Sequence, residues 1–264
     1  MRVDNSVNDR VYPQKADFTF YGGIYRDVSL LVVNKNHIAL GHFGDTGVKI
    51  TPVLKEGSAD IQVETLVEGE GTVAVELLDA AGSTVAKGEG EKTSLHLDAP
   101  HLWNGVKDPY LYTCIVRLMQ DGKPVDEVTT KVGLRSFSVD AKKGFFLNGK
   151  PYPLHGVSRH QDRKGLGNAI TREMHDEDMA LIRELGANTV RLAHYQHDQY
   201  FYDLCDKYGM VVWAEIPYIS EHLPNGRENT ISQMKELIYQ NYNHPSIVCW
   251  GVSNEITIST KDKA

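Results

Sequence analysis

Asn243-His244-Pro245-Ser246-Ile247-Val248-Cys249-Trp250-Gly251-Val252-Ser253-Asn254-Glu255 is the stretch that decides the fold. Pro245 ends a helix, because the residue before a proline is pushed out of the helical region. Ile247, Val248, Cys249 and Trp250 then form a short apolar run, the pattern of a strand buried on both faces. Gly251 loosens the chain, and Asn254-Glu255 falls where the strand gives out. A carboxylate at the C-terminal end of a buried parallel strand is where α/β barrels keep their chemistry. A solvated loop Glu, or one capping a following helix, has the same local signature, so position alone does not decide between them.

Working back from that strand, the pattern repeats. Phe145-Phe146-Leu147-Asn148-Gly149-Lys150 reads as a hairpin turning at Asn148-Gly149, and Tyr152 to Val157 as a buried strand. Thr171 is placed to cap a helix from Arg172 to about Leu185, with Met179, Ile182 and Leu185 on one side and Gly186 at its end. Asn188-Thr189-Val190-Arg191-Leu192 is the next strand. Tyr200, Phe201, Leu204, Cys205 and Tyr208 lie at helical spacing, stopped by Gly209. Met210-Val211-Val212-Trp213-Ala214-Glu215 is a third strand, and Ile231, Met234, Leu237 and Ile238 mark the inward face of a third helix. The order β-α-β-α-β-α-β predicts a parallel sheet with right-handed crossovers. It fits half of an eight-stranded barrel or a small doubly wound sheet. No G-x-G-x-x-G follows any of these strands, so a dinucleotide site has no support.

Residues 47–138 alternate with period two, as in Ile61, Val63, Thr65 and Val67 or Val73, Val75 and Leu77. Turn signals recur at Ala80-Ala81-Gly82-Ser83 and Asp121-Gly122-Lys123-Pro124. About seven short strands in some 90 residues are the pattern of an immunoglobulin-like sandwich. Residues 1–46 look like part of a further β domain: the aromatic and β-branched run from Pro13 to Val33 predicts two or three strands with a bend at Gly22-Gly23. Such strands do not make a stable sheet by themselves.

The 264 residues carry a net charge of -7, with 41% hydrophobic and 24% charged residues. That composition is of an ordinary soluble protein and argues against a nucleic-acid footprint. No run reaches the roughly 20 apolar residues needed to span a bilayer, and the N-terminus has no apolar signal core. Cys114, Cys205 and Cys249 are an odd count in apolar segments, which fits reduced core residues and a cytoplasmic setting.

Polar residues gather just after the four strands: Arg159 and His160; Arg191, His194 and Tyr195; Glu215; Asn254 and Glu255. Four successive strand ends aiming polar groups at one rim predict a site. Glu255 is the candidate general acid/base, its pKa expected to rise on burial, and Asn254 a donor to a substrate hydroxyl. His160 and His194 are binding candidates, with core histidines bonded to backbone as the alternative. Arg191 is expected to pair with Glu215 or Glu255. His194-x-x-His197 and Glu221-His222 are weak metal pairs, Trp213 and Trp250 read as barrel core, and Asp17 reads as a surface residue.

These motifs resemble glycoside hydrolase family 2, and within it the β-galactosidases. Asn188 to Tyr195, running on through Cys205-Asp206-Lys207-Tyr208-Gly209 to Trp213, resembles one family signature; Asn243 to Glu255 resembles the acid/base signature. Gly156-Val157-Ser158-Arg159-His160-Gln161-Asp162 and Phe20 to Val28 are also family-like. The resemblance implies three parts: the end of a jelly-roll sugar-binding domain (1–46), an immunoglobulin-like sandwich (47–138) and the first half of a (β/α)8 TIM barrel (139–264). It implies Glu255 as general acid/base, Asn254 as the contact to the sugar 2-hydroxyl, His160 and His194 as lining the galactose subsite, and Asp17 as inserted into that subsite from the jelly roll.

The implied activity is retaining hydrolysis of terminal β-D-galactose from β-galactosides, with the two carboxyl groups roughly 5 Å apart. The family nucleophile sits on a later barrel strand, so no residue here is nominated for it, and the expectation is an internal fragment of a longer enzyme. A β-glucuronidase or β-mannosidase of the same family is the alternative, as is a non-catalytic carbohydrate-binding fragment. The sequence requires no cofactor; magnesium or sodium enters only through the resemblance, and Pro217-Tyr218-Ile219-Ser220-Glu221-His222 lacks the Glu-x-His spacing that holds it in some members. The expected partners are a β-galactoside substrate and, in the full-length form, further copies of the chain, with no nucleic acid and no membrane.

Overall fold

The computed structural model describes residues 3–256. Residues 47 to 135 form a sandwich whose strands are β2 (Val48–Lys55), β3 (Ser58–Thr65), β5 (Thr72–Leu78), β6 (Thr84–Glu89), β7 (Lys92–Asp98), β8 (Tyr112–Gln120) and β9 (Lys123–Val132), with β1 (His37–Ile38) and β4 (Val67–Glu68) as a short pair at its edge. One sheet runs β2-β3-β7 and the other β6-β5-β8-β9, all antiparallel. The period-two residues meet between the sheets: Ile50, Ile61, Val63 and Leu95 from one, Val73, Val75, Leu77, Cys114, Val116 and Leu118 from the other. This is the immunoglobulin-like domain expected. Burial there pushes the Cys114 thiol up to about 12, so it packs as an apolar group.

A three-stranded antiparallel sheet follows: β10 (Phe137–Asp140), β11 (Gly144–Leu147) and β12 (Lys150–Pro151). Asn148 and Gly149 both take positive φ (50° and 73°), as a two-residue hairpin turn requires. The chain then enters β13 (Gly156–Arg159), α1 (Arg172–Glu184), β14 (Thr189–Leu192), α2 (Gln199–Tyr208), β15 (Val211–Glu215), α3 (Arg227–Asn241) and β16 (Ile247–Gly251). The four strands pair in parallel in the order β13-β14-β15-β16. Sequential order without reversal is the start of a barrel and not a doubly wound sheet. One core joins sheet and helices: Val190, Leu192, Val212, Ala214 and Ile247 meet Met179, Ile182, Phe201, Leu204 and Leu237. Among the described residues no helix is long and apolar enough to cross a membrane.

Several expectations differ. The run from Pro13 to Val33 forms no strand. No other strand of the described chain lies alongside it, and its apolar side chains Val28, Leu30, Leu31 and Val32 are exposed. The strand expected over Tyr152–Val157 begins at Gly156 and ends at Arg159, because its partners are Thr189–Leu192. Leu185 and Ile231 are exposed, α1 and α3 being covered on a narrower face than their apolar spacing suggests. Trp213 is 43% exposed instead of buried. It shares register with Ser158, Arg191 and Cys249, on the sheet face opposite the helices.

The foot of the parallel sheet rests on the sandwich. Trp103, fully buried with Leu147 and Val211, donates from Nε1 to the Asp206 carbonyl at 2.9 Å. Asn243 accepts from Ile50 N–H and donates to Val48 O, both at 2.8 Å, completing the edge of β2. Arg135 donates to the carbonyls of Pro245 and Ile247 at 2.9 and 2.8 Å. His244 and the Ser246 N–H bind the Asp206 carboxylate at 2.6 and 3.1 Å. The Asn-His-Pro-Ser half of the opening stretch therefore docks two domains. The sequence offered Pro245 only as a helix stop.

Candidate active site

At the other end of the strands the polar residues converge on Arg191. Its side chain leaves the open face of β14 and reaches across to β15, where Nε and Nη2 grip the two Glu215 carboxylate oxygens at 3.0 and 2.9 Å. The Glu215 side chain is 2% exposed. A carboxylate so buried needs neutralising, and a bidentate guanidinium does it. Gly251 makes the room: a Cβ there would fall 2.6 Å from the Glu215 Cβ and collide with the Trp213 indole nitrogen. His194 Nδ1 lies 2.5 Å from Glu215 Oε1 and 3.2 Å from Arg191 Nη2. Arginine offers no acceptor and Glu215 no proton, so the short contact decides: Nδ1 carries the hydrogen and donates to Glu215.

Asn254 completes the cluster. Its backbone N–H donates to Tyr218 O at 2.9 Å and its carbonyl accepts from Ser220 N–H at 3.1 Å, so the segments that follow β15 and β16 meet in an isolated parallel bridge after the break at Val252-Ser253. Arg191 Nη2 donates to Asn254 Oδ1 at 2.7 Å. That bond identifies the amide oxygen, since arginine can only donate. The amide nitrogen, Nδ2, is left buried without a partner. Glu255 follows in the left-handed region at φ 54°. It is exposed, not buried as the sequence reading had it, and is displayed beside the cluster instead of within it.

His160 stands at the end of β13 with its ring 5.3 Å from that of His194 and its Nδ1 3.4 Å from the Tyr195 hydroxyl. Burial lowers its pKa below the usual histidine value, and the neighbouring His194 adds to this, so it is uncharged at neutral pH. Phe18, from the irregular N-terminal segment, packs on both histidines, with ring centroids 4.9 Å from His160 and 5.9 Å from His194. Asp17 beside it is exposed, and its charge acts on the His160 imidazole. So Asp17, His160, His194, Arg191, Glu215, Asn254 and Glu255 come from five separate segments to one rim. Phe18 was not singled out in the sequence; its neighbour Asp17 was the only signal.

Other candidates go elsewhere. Arg159 faces the helices, donating to Asp178 at 3.0 and 2.6 Å with its guanidinium 3.9 Å from the Phe201 ring centroid. His197 is buried there, between Arg159 and the Ala193 carbonyl, and burial holds its pKa well below the usual value. It cannot share an ion with His194, which is committed to Glu215. His222 bonds the Tyr218 hydroxyl at 2.9 Å. Among the described residues the group close enough to hold a metal is Asp203, Asp206 and His244, at the foot of the sheet, where Asp206 is already bound by His244 and Ser246.

Residues 138–264 match the TIM barrel domain of glycosyl hydrolases family 2, and residues 42–135 match a second domain of the same family. A β-glucuronidase of Bacteroides fragilis is 41% identical over 97% of this chain and 40% of its own length. A β-galactosidase of Thermoanaerobacter pseudethanolicus is 30% identical over 96% of this chain and 35% of its own. The crystal structure of an FMN-binding β-glucuronidase from Facaelibacterium prausnitzii L2-6 superposes with a TM-score of 0.95 at 43% identity, covering 98% of this chain and 42% of that one. The chain thus spans about 40% of the length of such relatives.

Proposed function

Because this chain belongs to glycosyl hydrolases family 2, we propose that the protein cleaves β-glycosides with retention of configuration and that β-D-glucuronides are its substrates. The β-glucuronidases among its relatives, including the Bacteroides fragilis protein at 41% identity and the solved structure at 43%, support glucuronide over the galactoside that the motifs alone suggested. The β-galactosidase relatives keep galactosides as the second reading.

The observation that carries the glycosidase reading is the Asn254 amide. Arg191 holds Oδ1, and the buried Nδ2 has no partner. A buried donor without a partner costs about 1–3 kcal/mol. A sugar hydroxyl that accepts from it recovers that energy, most strongly if the oxygen gains charge at the transition state. Glu255, next in the chain, is then the group that protonates the leaving oxygen and later deprotonates water. Glu215 is not the nucleophile: both its oxygens are bonded to Arg191 and one also to His194. Its part is to fix Arg191, and through it Asn254. His194, donating from Nδ1 to Glu215, has Nε2 left to hydrogen-bond a sugar hydroxyl.

The test is Glu255→Gln in the full-length protein, assayed on an alkyl glucuronide and on a nitrophenyl glucuronide. Turnover of the alkyl substrate should fall by about 10²–10⁴-fold, while glycosylation by the activated aryl substrate, whose leaving group needs little protonation, is largely spared. Equal losses on both would remove Glu255 from the acid role. Running the same pair as galactosides separates the two substrate readings.

A further inference from the structure

Behind Phe18 lies a cavity of about 290 Å³, bounded by the N-terminal segment, the Tyr195-Gln196 and Ile216-Pro217 turns, and α3. It is near the lower end of the size of small-molecule sites, ~300 Å³. Three of its lining residues carry a buried polar atom with no hydrogen-bond partner: Arg26 Nε, Asn168 Oδ1 and Gln233 Oε1. Buried polar atoms are nearly always paired, so three orphans around one space point to something that pairs them there. Arg26 is anchored by Nη2 donating to Gln196 O at 2.6 Å, which leaves Nε as a fixed donor. Asn168 and Gln233 present acceptors, and Glu236 adds a carboxylate. Much of the remaining wall is aromatic, from Tyr12, Phe18, Phe20, Tyr21, Tyr25 and Tyr195, with Ile216 and Pro217 adding aliphatic surface.

A ligand that fits must donate to two acceptors, accept from one donor and offer apolar faces to rings. A hydroxyl both donates and accepts, and a pyranose carries several around a ring with C–H faces. Glu236 disfavours an anionic sugar. We propose that this cavity binds a neutral pyranose. Two sources supply one: the residue on the leaving side of a bound glycoside, or a separate sugar. Phe18 is the shared wall, since it also packs on His160 and His194. Only the first source rests on the glycosidase reading above.

The experiment uses the full-length protein and methyl β-D-glucopyranoside as probe, with binding followed by saturation-transfer NMR and calorimetry. The wild type should bind saturably. Gln233→Ala and Asn168→Ala should each weaken binding by about tenfold, the worth of one such hydrogen bond. Gln233→Glu, which keeps an acceptor, should retain it, and circular dichroism checks that each variant is folded. No saturable binding by the wild type, or undiminished binding by both alanine variants, overturns the proposal: the three atoms then hold water only. A rise in KM for a glycoside with a glucose leaving group, but not for an aryl glycoside, in Gln233→Ala assigns the pyranose to the leaving side. Lost probe binding with both KM values unchanged assigns it to a separate sugar. Probe binding without turnover of any glycoside by the wild type leaves the cavity assigned and removes the glycosidase reading alone.

Discussion

Replacing Arg191 with alanine strips the buried Glu215 carboxylate of its counter-ion. Two charge-assisted hydrogen bonds are lost, at 3.0 and 2.9 Å, each worth about 1.5–3 kcal/mol. His194 remains on one oxygen, 2.5 Å away, and softens the loss. The Arg191 side chain is 30% exposed, so part of its attraction is already screened by water. Breaking a fully buried pair costs about 3–5 kcal/mol, and we expect about 3 here. At about 2–4 °C per kcal/mol that lowers the melting temperature by roughly 6–12 °C. Urea unfolding followed by tryptophan fluorescence measures it, with Trp213 as a local reporter 5.3 Å from the guanidinium. Arg191→Ala/Glu215→Gln should regain much of the loss, because a neutral amide needs no counter-ion, giving a coupling above about 1.5 kcal/mol. A loss in Arg191→Ala under about 1 kcal/mol, with no coupling, would refute the picture of Glu215 as an ionised group held by Arg191.

Gly251→Ala should destabilise by about 1–3 kcal/mol, because the new methyl meets Glu215 and Trp213; an unchanged urea midpoint would show that β16 shifts freely. Asn243→Ala leaves the Ile50 N–H and Val48 carbonyl of β2 without their partner and should cost about 1–3 kcal/mol, with faster amide exchange at Ile50 as the local reading. The pKa of His244 is raised: burial lowers it, but the Asp206 charge and hydrogen bond, with Asp203, outweigh that. Its contribution to stability is complete below the ordinary histidine pKa and is lost as pH climbs through the raised value. Denaturation midpoints should therefore fall on the alkaline side of the ordinary histidine range, and His244→Asn should flatten that slope.

How much was legible follows from what a pattern reports. Period two in 47–138 and the switch to β-α alternation after Gly144 each state which side of an element is apolar. The sandwich and the parallel sheet followed from that alone. So did the strand-end placement of His160, His194, Glu215 and Asn254, because residues that follow parallel strands share one rim whatever else the chain does. The Arg191–Glu215 pair was also within reach, as a cation and an anion on neighbouring strands of one sheet.

What periodicity cannot report is the identity of the neighbour across space. Arg159 precedes His160 at the same strand end, yet it turns to the helices because Asp178 and Phe201 wait there. Pro13 to Val33 has the composition of strands, but strands exist only in pairs, and the described chain lays none beside it. Asn243 opens the stretch that ends in Glu255, and nothing in that stretch indicates that its amide serves the edge of β2, almost two hundred positions earlier. The orphaned Nδ2 of Asn254 and the three orphans behind Phe18 are defined by an absence of partners, which only a complete set of positions reveals. The sequence by itself determined the elements, their order and the rim. The tertiary structure decided which side chain meets which, because those contacts join segments whose separation along the chain carries no trace of their approach.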